Sequence, residues 1–410
     1  MYSSLNDIPF VRQLIRYVSK SFRRANSSCR RNRLISRRHD PSIPAIVESL
    51  EFRRMLSGQA ITVNTSSDST GHSGESLRDA ILQANTDPGG DTITFDNSLK
   101  GQTITLNQNV LLITNSMTIT GLGADNLTIS GNHASPIFET SSVGSGTTSS
   151  VTITGLTLTQ GAVYGAIFNS TDFTITNLTL ANDTITGNSS EFNGGGIYNL
   201  SGTVTSTNDT ITGNSAFEEG GGIYSTLRFT STNDTISGNS AGSGGGIYTG
   251  VNFTSTNDTI INNTIVPNSE QHYGGGVFAV GTWTSTNDTI SGNSAISGGG
   301  VYDDGLATLT NDTISGNSAS SLGGGIFSVN GSSVRNTIVV GNAQGSGSDV
   351  SGTLSTSSSN NLTSIPTGMT LANILQTVAN SNPLQPLLGN NGGPTETIAL
   401  AADSPAINAG

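Results

Sequence analysis

Charge is scarce in this 410-residue chain: 11% of residues are Asp, Glu, Lys or Arg, and only 16 are basic. A lone cysteine, Cys29, excludes an intrachain disulfide framework and a cysteine-based metal centre. The four histidines, His39, His72, His133 and His272, stand far apart with no recognisable setting, so Ser-His-Asp catalysis is poorly served. No apolar run approaches the roughly 18 residues of a transmembrane helix. Leucine is too rare in the middle of the chain for leucine-rich repeats, and glycine too frequent for helical repeats.

What remains is a repeat rich in Gly, Ser, Thr and Asn. The phrase Asn-Asp-Thr-Ile begins at Asn182, Asn208, Asn233, Asn257, Asn287 and Asn311, with a weaker copy (Arg-Asn-Thr-Ile) at Arg335. Successive differences are 26, 25, 24, 30, 24 and 24 residues. Triple glycines follow at Gly194, Gly220, Gly244, Gly274, Gly298 and Gly323. A fixed period of this length marks a solenoid. Thr, Ile, Asn and Gly are strand and turn formers, and Phe229 and Ser231 alternate with Thr230 and Thr232. About three short strands per unit of ~25 residues gives one coil of an all-β, right-handed parallel β-helix, each coil stacked ~4.8 Å above the last.

The recurring positions then acquire physical reasons. Ile185, Ile211, Ile236, Ile260, Ile290, Ile314 and Ile338 are expected in one inward stack. Ile197, Ile223, Ile247, Val277, Val301 and Ile326 are expected in a second. The next residue in each case (Tyr198, Tyr224, Tyr248, Phe278, Tyr302, Phe327) points the other way and makes an aromatic stripe. Asn188, Asn214, Asn239, Asn263, Asn293, Asn317 and Asn342 recur at a turn, where an inward Asn bonds backbone of its own and adjacent coils as a structural ladder. The ladder could instead be a row of ligands, the stripe a platform for sugar rings, and the six Asn-x-Thr sequons glycosylation sites. Each is explained more simply by stacking of coils.

Two segments flank the repeat. Residues 1–58 hold 12 basic and 4 acidic residues, net +8, whereas the remainder holds 4 basic and 24 acidic, net −20. The basic segment reads as a disordered targeting segment rather than a nucleic-acid arm, because the acidic remainder would repel nucleic acid. Residues 59–99 read as an N-terminal cap around a helix over 76–86. Ser76 and Asp79 form a capping-box start, and Leu77, Ala80, Ile81 and Ala84 share a face. The β-helix is assigned to 100–345. Residues 346–410 read as irregular, with a Gly/Ser-rich loop from Gly345 to Ser359.

Gly-Gly-Gly-Ile with Ile-x-Gly-Asn resembles the paired Gly-Gly-x-Ile and Phe-x-x-Asn motifs of bacterial polymorphic outer-membrane-protein repeats, over about residues 150–345, with Ile in place of Phe. Ser76-Leu77-Arg78-Asp79-Ala80-Ile81 is similar to the Cys-Ser-Leu-Arg-Glu-Ala motif that precedes β-helices in bacterial surface proteins. Glu75 stands in the cysteine position. Ser49 to Ser57 resembles the Leu-Glu-Pro-Arg-x-Leu-Leu segment of large exported bacterial proteins, with Phe52 for proline and Met55 for the first of the paired leucines. The end, Ser404-Pro405-Ala406-Ile407-Asn408-Ala409-Gly410, resembles a region that in such proteins is followed by further sequence and an anchoring tail. These resemblances imply an exported or cell-envelope protein, extracellular in use, and the uniform coils fit a structural, adhesive or ligand-presenting role.

Catalysis is the rival expectation, since polysaccharide lyases and glycoside hydrolases share this fold. After the cap the only basic residues are Lys100, Arg228 and Arg335. The non-repeating acidic pairs Glu218–Glu219 and Asp303–Asp304 lie about three coils apart, roughly 14 Å at ~4.8 Å per coil, too far to cooperate. The repeated Asp183, Asp209, Asp234, Asp258, Asp288 and Asp312 form a uniform line, which reads as scaffold. Calcium is the one cofactor that line could hold, but the repeat lacks the nonapeptide of calcium β-rolls. Glu270 and His272 lie in the insertion of the 30-residue coil, between Thr264 and Tyr273, a place where solenoids carry binding loops. The expectation is a non-catalytic exported solenoid with no catalytic or cofactor residues and no nucleic acid partner, contacting a surface glycan or protein.

Overall fold

Glycine and asparagine at the corners and β-branched residues between them fold the chain into stacked coils. A computed structural model describes residues 58–86, 89–141, 148–170, 176–266, 272–344, 349–363, 374–377 and 384–400. The basic segment, Glu270 and the C-terminal Ser-Pro-Ala-Ile phrase lie outside the described residues.

One coil shows the plan. The first wall is Ile223–Ser225, the second Arg228–Thr232, the third Thr235–Ser237, and the fourth the two-residue strand Ser240–Ala241. Three strands per coil were expected; the fourth is too short to leave a period-two signal. First and second walls merge into one 20-stranded sheet, joined by the long strand Ile326–Arg335, which pairs with both Val301–Asp303 and Leu306–Thr310. The third wall has 12 strands and the fourth seven. Pairing between coils is parallel and keeps equivalent residues in register: Ile223 on Ile247, Tyr224 on Tyr248, Ile236 on Ile260.

The interior follows from that register. From Ile197–Asn199 to Val301–Asp303 the first-wall strands bury their first and third residues, and from Thr184–Thr186 to Thr313–Ser315 the third-wall strands bury their middle residue, so the two isoleucine stacks are buried. The second wall adds an inward stack with no counterpart in the repeat phrase. Phe229, Phe253 and Trp283 lie face to face at 5.0 and 5.5 Å, and Trp283 Nε1 donates to Ser255 Oγ at 2.9 Å.

Ile338 departs from expectation. It pairs with the outward Thr313, and Val339 continues the inward stack on Ile314. The weak copy therefore starts at Asn336, whose left-handed φ of 50° matches Asn311 at 59°. The slip turns Ile338 and Val340 outward on the third wall. There they join Leu362, Leu388 and Ile398 in a second small core. Leu388 and Ile398 belong to an antiparallel hairpin, Leu384–Gly389 with Thr397–Leu400. Its turn is tied two coils back, where Thr395 Oγ1 donates to Asn287 O at 3.2 Å and Thr289 Oγ1 donates to Glu396 O at 2.5 Å. The solenoid also runs past residue 345: Val350–Leu354 pairs with Ile326–Arg335, and Asn361–Thr363 with Ile338–Val340. The Gly/Ser-rich composition hid these strands.

At the N-terminal end, the helix α1 (Leu77–Thr86) buries Leu77, Ala80, Ile81 and Ala84 against the strands Ala60–Val63, Asp91–Phe95 and Leu111–Ile113. Its start is reciprocal: Ser76 Oγ accepts from Asp79 N–H at 3.1 Å, and Asp79 Oδ2 accepts from Ser76 N–H at 3.3 Å.

The middle glycine of each triplet tests this packing. A Cβ on Gly245 would stand 2.5 Å from Thr264 O and 2.6 Å from Gly275 O, both rigid backbone of the coil itself and the next. Gly238 has a left-handed φ of 60° but open space around it. Gly238→Ala should cost about 1–2 kcal/mol of backbone strain, and Gly245→Ala about 3 kcal/mol or more of overpacking. Chemical unfolding of the two variants side by side checks the order; equal losses would contradict it.

Candidate functional site

Three rows of polar residues climb the solenoid, and their geometry decides what each can do. The inward asparagines hydrogen-bond as a continuous ladder. Asn214 N–H and Nδ2 both donate to Asn239 Oδ1, at 2.9 and 3.0 Å, and Nδ2 also donates to Ile185 O at 2.9 Å. The same three bonds recur at Asn239, Asn263, Asn293 and Asn317. Asn188 begins the row by accepting from Gly161 N–H, and Asn342 ends it on Asp349 Oδ1 at 2.7 Å. Every hydrogen-bonding atom of these amides is used within the chain.

The aspartates form a parallel ladder, also buried. Each backbone N–H from Asp183 to Asp288 donates to the Oδ1 of the next Asp at 2.7–2.8 Å. Ser206, Ser231 and Ser285 donate Oγ–H to Oδ2 of Asp209, Asp234 and Asp288 at 2.7 Å. Above Asp312 the slot is filled by neutral residues: Thr337 Oγ1 takes the Asp312 N–H, and Asn361 Oδ1 takes that of Thr337. Burial first, and the neighbouring carboxyl second, push Asp183 up to about 8 and Asp209 up to about 7; burial pushes Asp288 up to about 6. Asp258 and Asp312 are pushed well above the usual range by burial and by Asp288. Such a row offers cations few open acceptors.

The sequon asparagines stand at the corner before each aspartate with φ of 55–59°. Their side chains make an outer ladder, Asn233 donating to Asn208 at 3.2 Å and Asn257 to Asn233 at 3.1 Å.

The aromatic stripe lies on the outside of the first wall. Phe168 extends it below Tyr198, and neighbouring rings are 4.8–5.2 Å apart from Phe168 to Phe327. Loop residues add rings at both ends: Tyr164 sits between Phe168 and Phe192 at 4.6 and 5.4 Å, and Tyr273 stacks on Tyr302 at 4.3 Å. Where the chain enters this wall the coils differ from one another: Glu191-Phe192-Asn193, then Phe217-Glu218-Glu219, then Gly242-Ser243. Of the twelve large apolar side chains exposed among the described residues, nine stand at its two corners. Phe192, Phe217, Val266, Ile296 and Leu322 lie where the chain enters, and Leu227, Val251, Leu306 and Val329 where it leaves. Glu219 is half-buried there, and burial, then Glu218, pushes its carboxyl up to about 7.

The other candidates are dispersed. Asp303 faces inward and accepts from Ser332 Oγ, Gly305 N–H and Ala307 N–H, while Asp304 faces solvent. Arg228 is exposed at the start of its strand, and Arg335 donates to Ser357 O. Arg78 grips Asp68 at 2.7 and 3.1 Å and also donates to Asn109 O and Val110 O, so it ties α1 to the first coil. His272 Nδ1 lies 3.4 Å from Gly242 O. Among the described residues, no three of His, Cys, Asp and Glu are grouped to hold a metal. No described helix is long and apolar enough to cross a membrane.

No protein-family model matches the chain, and no curated protein matches it. Among solved structures, a chain described as Geobacillus virus E2 ORF18 is similar at 14% identity and a TM-score of 0.37. The match covers 74% of this chain, which spans 60% of the length of that one. The class defined by fold and register is therefore the parallel β-solenoid, with about ten coils counted along the first wall.

Proposed function

We propose that this solenoid is an exported or cell-surface protein whose role is structural and adhesive, and that the aromatic wall is its contact face. One observation carries the reading. The residues that repeat are spent on the frame, and the residues that vary from coil to coil gather at the corners of the aromatic wall with most of the exposed apolar surface. Large contiguous apolar surface on a folded protein marks an interaction face. The resemblance to polymorphic outer-membrane-protein repeats and to export-associated segments agrees with an extracellular setting.

Glu219 favours a second reading, a carbohydrate-active enzyme. A carboxyl pushed up to about 7 beside an aromatic wall fits a general acid. A product assay on the whole chain separates the two. Neutral and acidic polysaccharides, with and without calcium, would be followed for new reducing ends and new unsaturated ends. No turnover is expected. Steady release that disappears in Glu219→Gln would replace the adhesive reading with the enzyme.

A further inference from the structure

We propose that the partner of the aromatic wall is a second copy of this chain, related by a twofold axis parallel to the solenoid axis. This rests on the reading of that wall as a contact face. From Phe168 to Phe327 the stripe crosses six coil intervals, about 29 Å at ~4.8 Å each, and the wall with its corners is about 20 Å across. The product, about 600 Å² per copy, approaches the ~800 Å² per partner of a stable interface.

Charge selects the second copy and its orientation. Glu218 and Glu219 stand at the corner where one coil enters the wall, and Arg228 at the corner where the same coil leaves it. Arg228 is the only Lys or Arg between residues 101 and 334. None of the three has an ion pair among the described residues. When two copies face each other across a twofold axis parallel to the stack, the entering corner of each coil meets the leaving corner of the same coil in the other copy. The contact is self-complementary. Each glutamate pair then meets an arginine twice over. The same operation sets exposed Phe217 against Leu227 and Ile296 against Leu306. An antiparallel pair would set the glutamates against the coil of His272 and Arg228 against Thr282, losing the charge match.

Sedimentation equilibrium of the whole chain over a concentration series tests this. The mass is expected to move from two chains to one on dilution, and earlier in high salt. The Glu218→Arg/Glu219→Arg variant, and Arg228→Glu separately, should each weaken association at least about tenfold by setting like charges together. Glu218 and Arg228 are exposed and Glu219 is half-buried, and unchanged circular dichroism will confirm folding. Mixing the two variants restores both charge contacts at once, so a one-to-one complex as tight as the wild-type pair is expected. A wild-type chain that stays monomeric, or a mixture that fails to associate, overturns the inference. It leaves the contact-face reading standing unless the polysaccharide assay also shows turnover.

Discussion

Raising the pH from 5 to 8 is expected to lower the thermal midpoint of this protein by several degrees. The aspartate ladder is the cause. In the unfolded chain these acids titrate near 3.8; in the folded one Asp288, Asp209 and Asp183 titrate at about 6, 7 and 8, with Asp234, Asp258 and Asp312 also raised. Between the two values the folded state holds protons that the unfolded chain releases. Their contribution is complete below the unfolded value and is lost as pH rises through the folded ones. Glu219 acts in the same direction. Asp79, lowered by the Ser76 hydrogen bond, gives its contribution above the unfolded value and so does not change over this range. Each pKa unit by which the folded state exceeds the unfolded one corresponds to about 1.4 kcal/mol. Asp209→Asn combined with Asp258→Asn should flatten the slope, since Asn361 already fills this slot in the native chain. A midpoint that rises from pH 5 to 8 would show that the row is ionised and solvated.

Asn239→Ala is expected to be the most damaging single truncation in the frame. It removes the acceptor of Asn214 N–H and of one Asn214 Nδ2 hydrogen, the donor to Ile211 O, and one of the two donors to Asn263 Oδ1, which keeps the Asn239 N–H. Three buried groups lose partners at about 1–3 kcal/mol each, so a loss near 5 kcal/mol is expected. Thr254→Ala, on an exposed position of a neighbouring strand, should stay within about 0.5 kcal/mol. Urea unfolding of the pair measures the difference. An Asn239→Ala loss below about 1 kcal/mol would mean that water replaces the amide and that the ladder does not hold the coils.

The frame was legible because a coil that stacks on copies of itself must repeat whatever it buries. Inward Ile, corner Asn and outward Tyr or Phe all recur with the period, so their places follow from alternation and turn chemistry alone. The features that escaped do not recur cleanly. Phe229, Phe253 and Trp283 share an inward slot with Val204 and Ala307, and so look like scattered apolar residues in a Thr/Ser strand. The one-residue slip at Arg335 was hidden because a copy of the phrase can be read from either residue. The serines that donate to the aspartates lie three residues before them, and nothing in a Ser-Thr-Asn-Asp run says which hydroxyl points inward. The aromatic wall was half visible: the stripe is written in the repeat, but the corners that give it an edge of charge and apolar groups become neighbours only once coils are stacked.

The carboxyl titration of the ladder aspartates, followed by 13C NMR with and without calcium, tests most directly whether the repeated polar residues are the internal frame. Asp288, Asp209 and Asp183 are expected to titrate in that order, near pH 6, 7 and 8, with no response to calcium. Titration in the ordinary range near 4, or shifts on adding calcium, would contradict it and make the row a solvent-facing site.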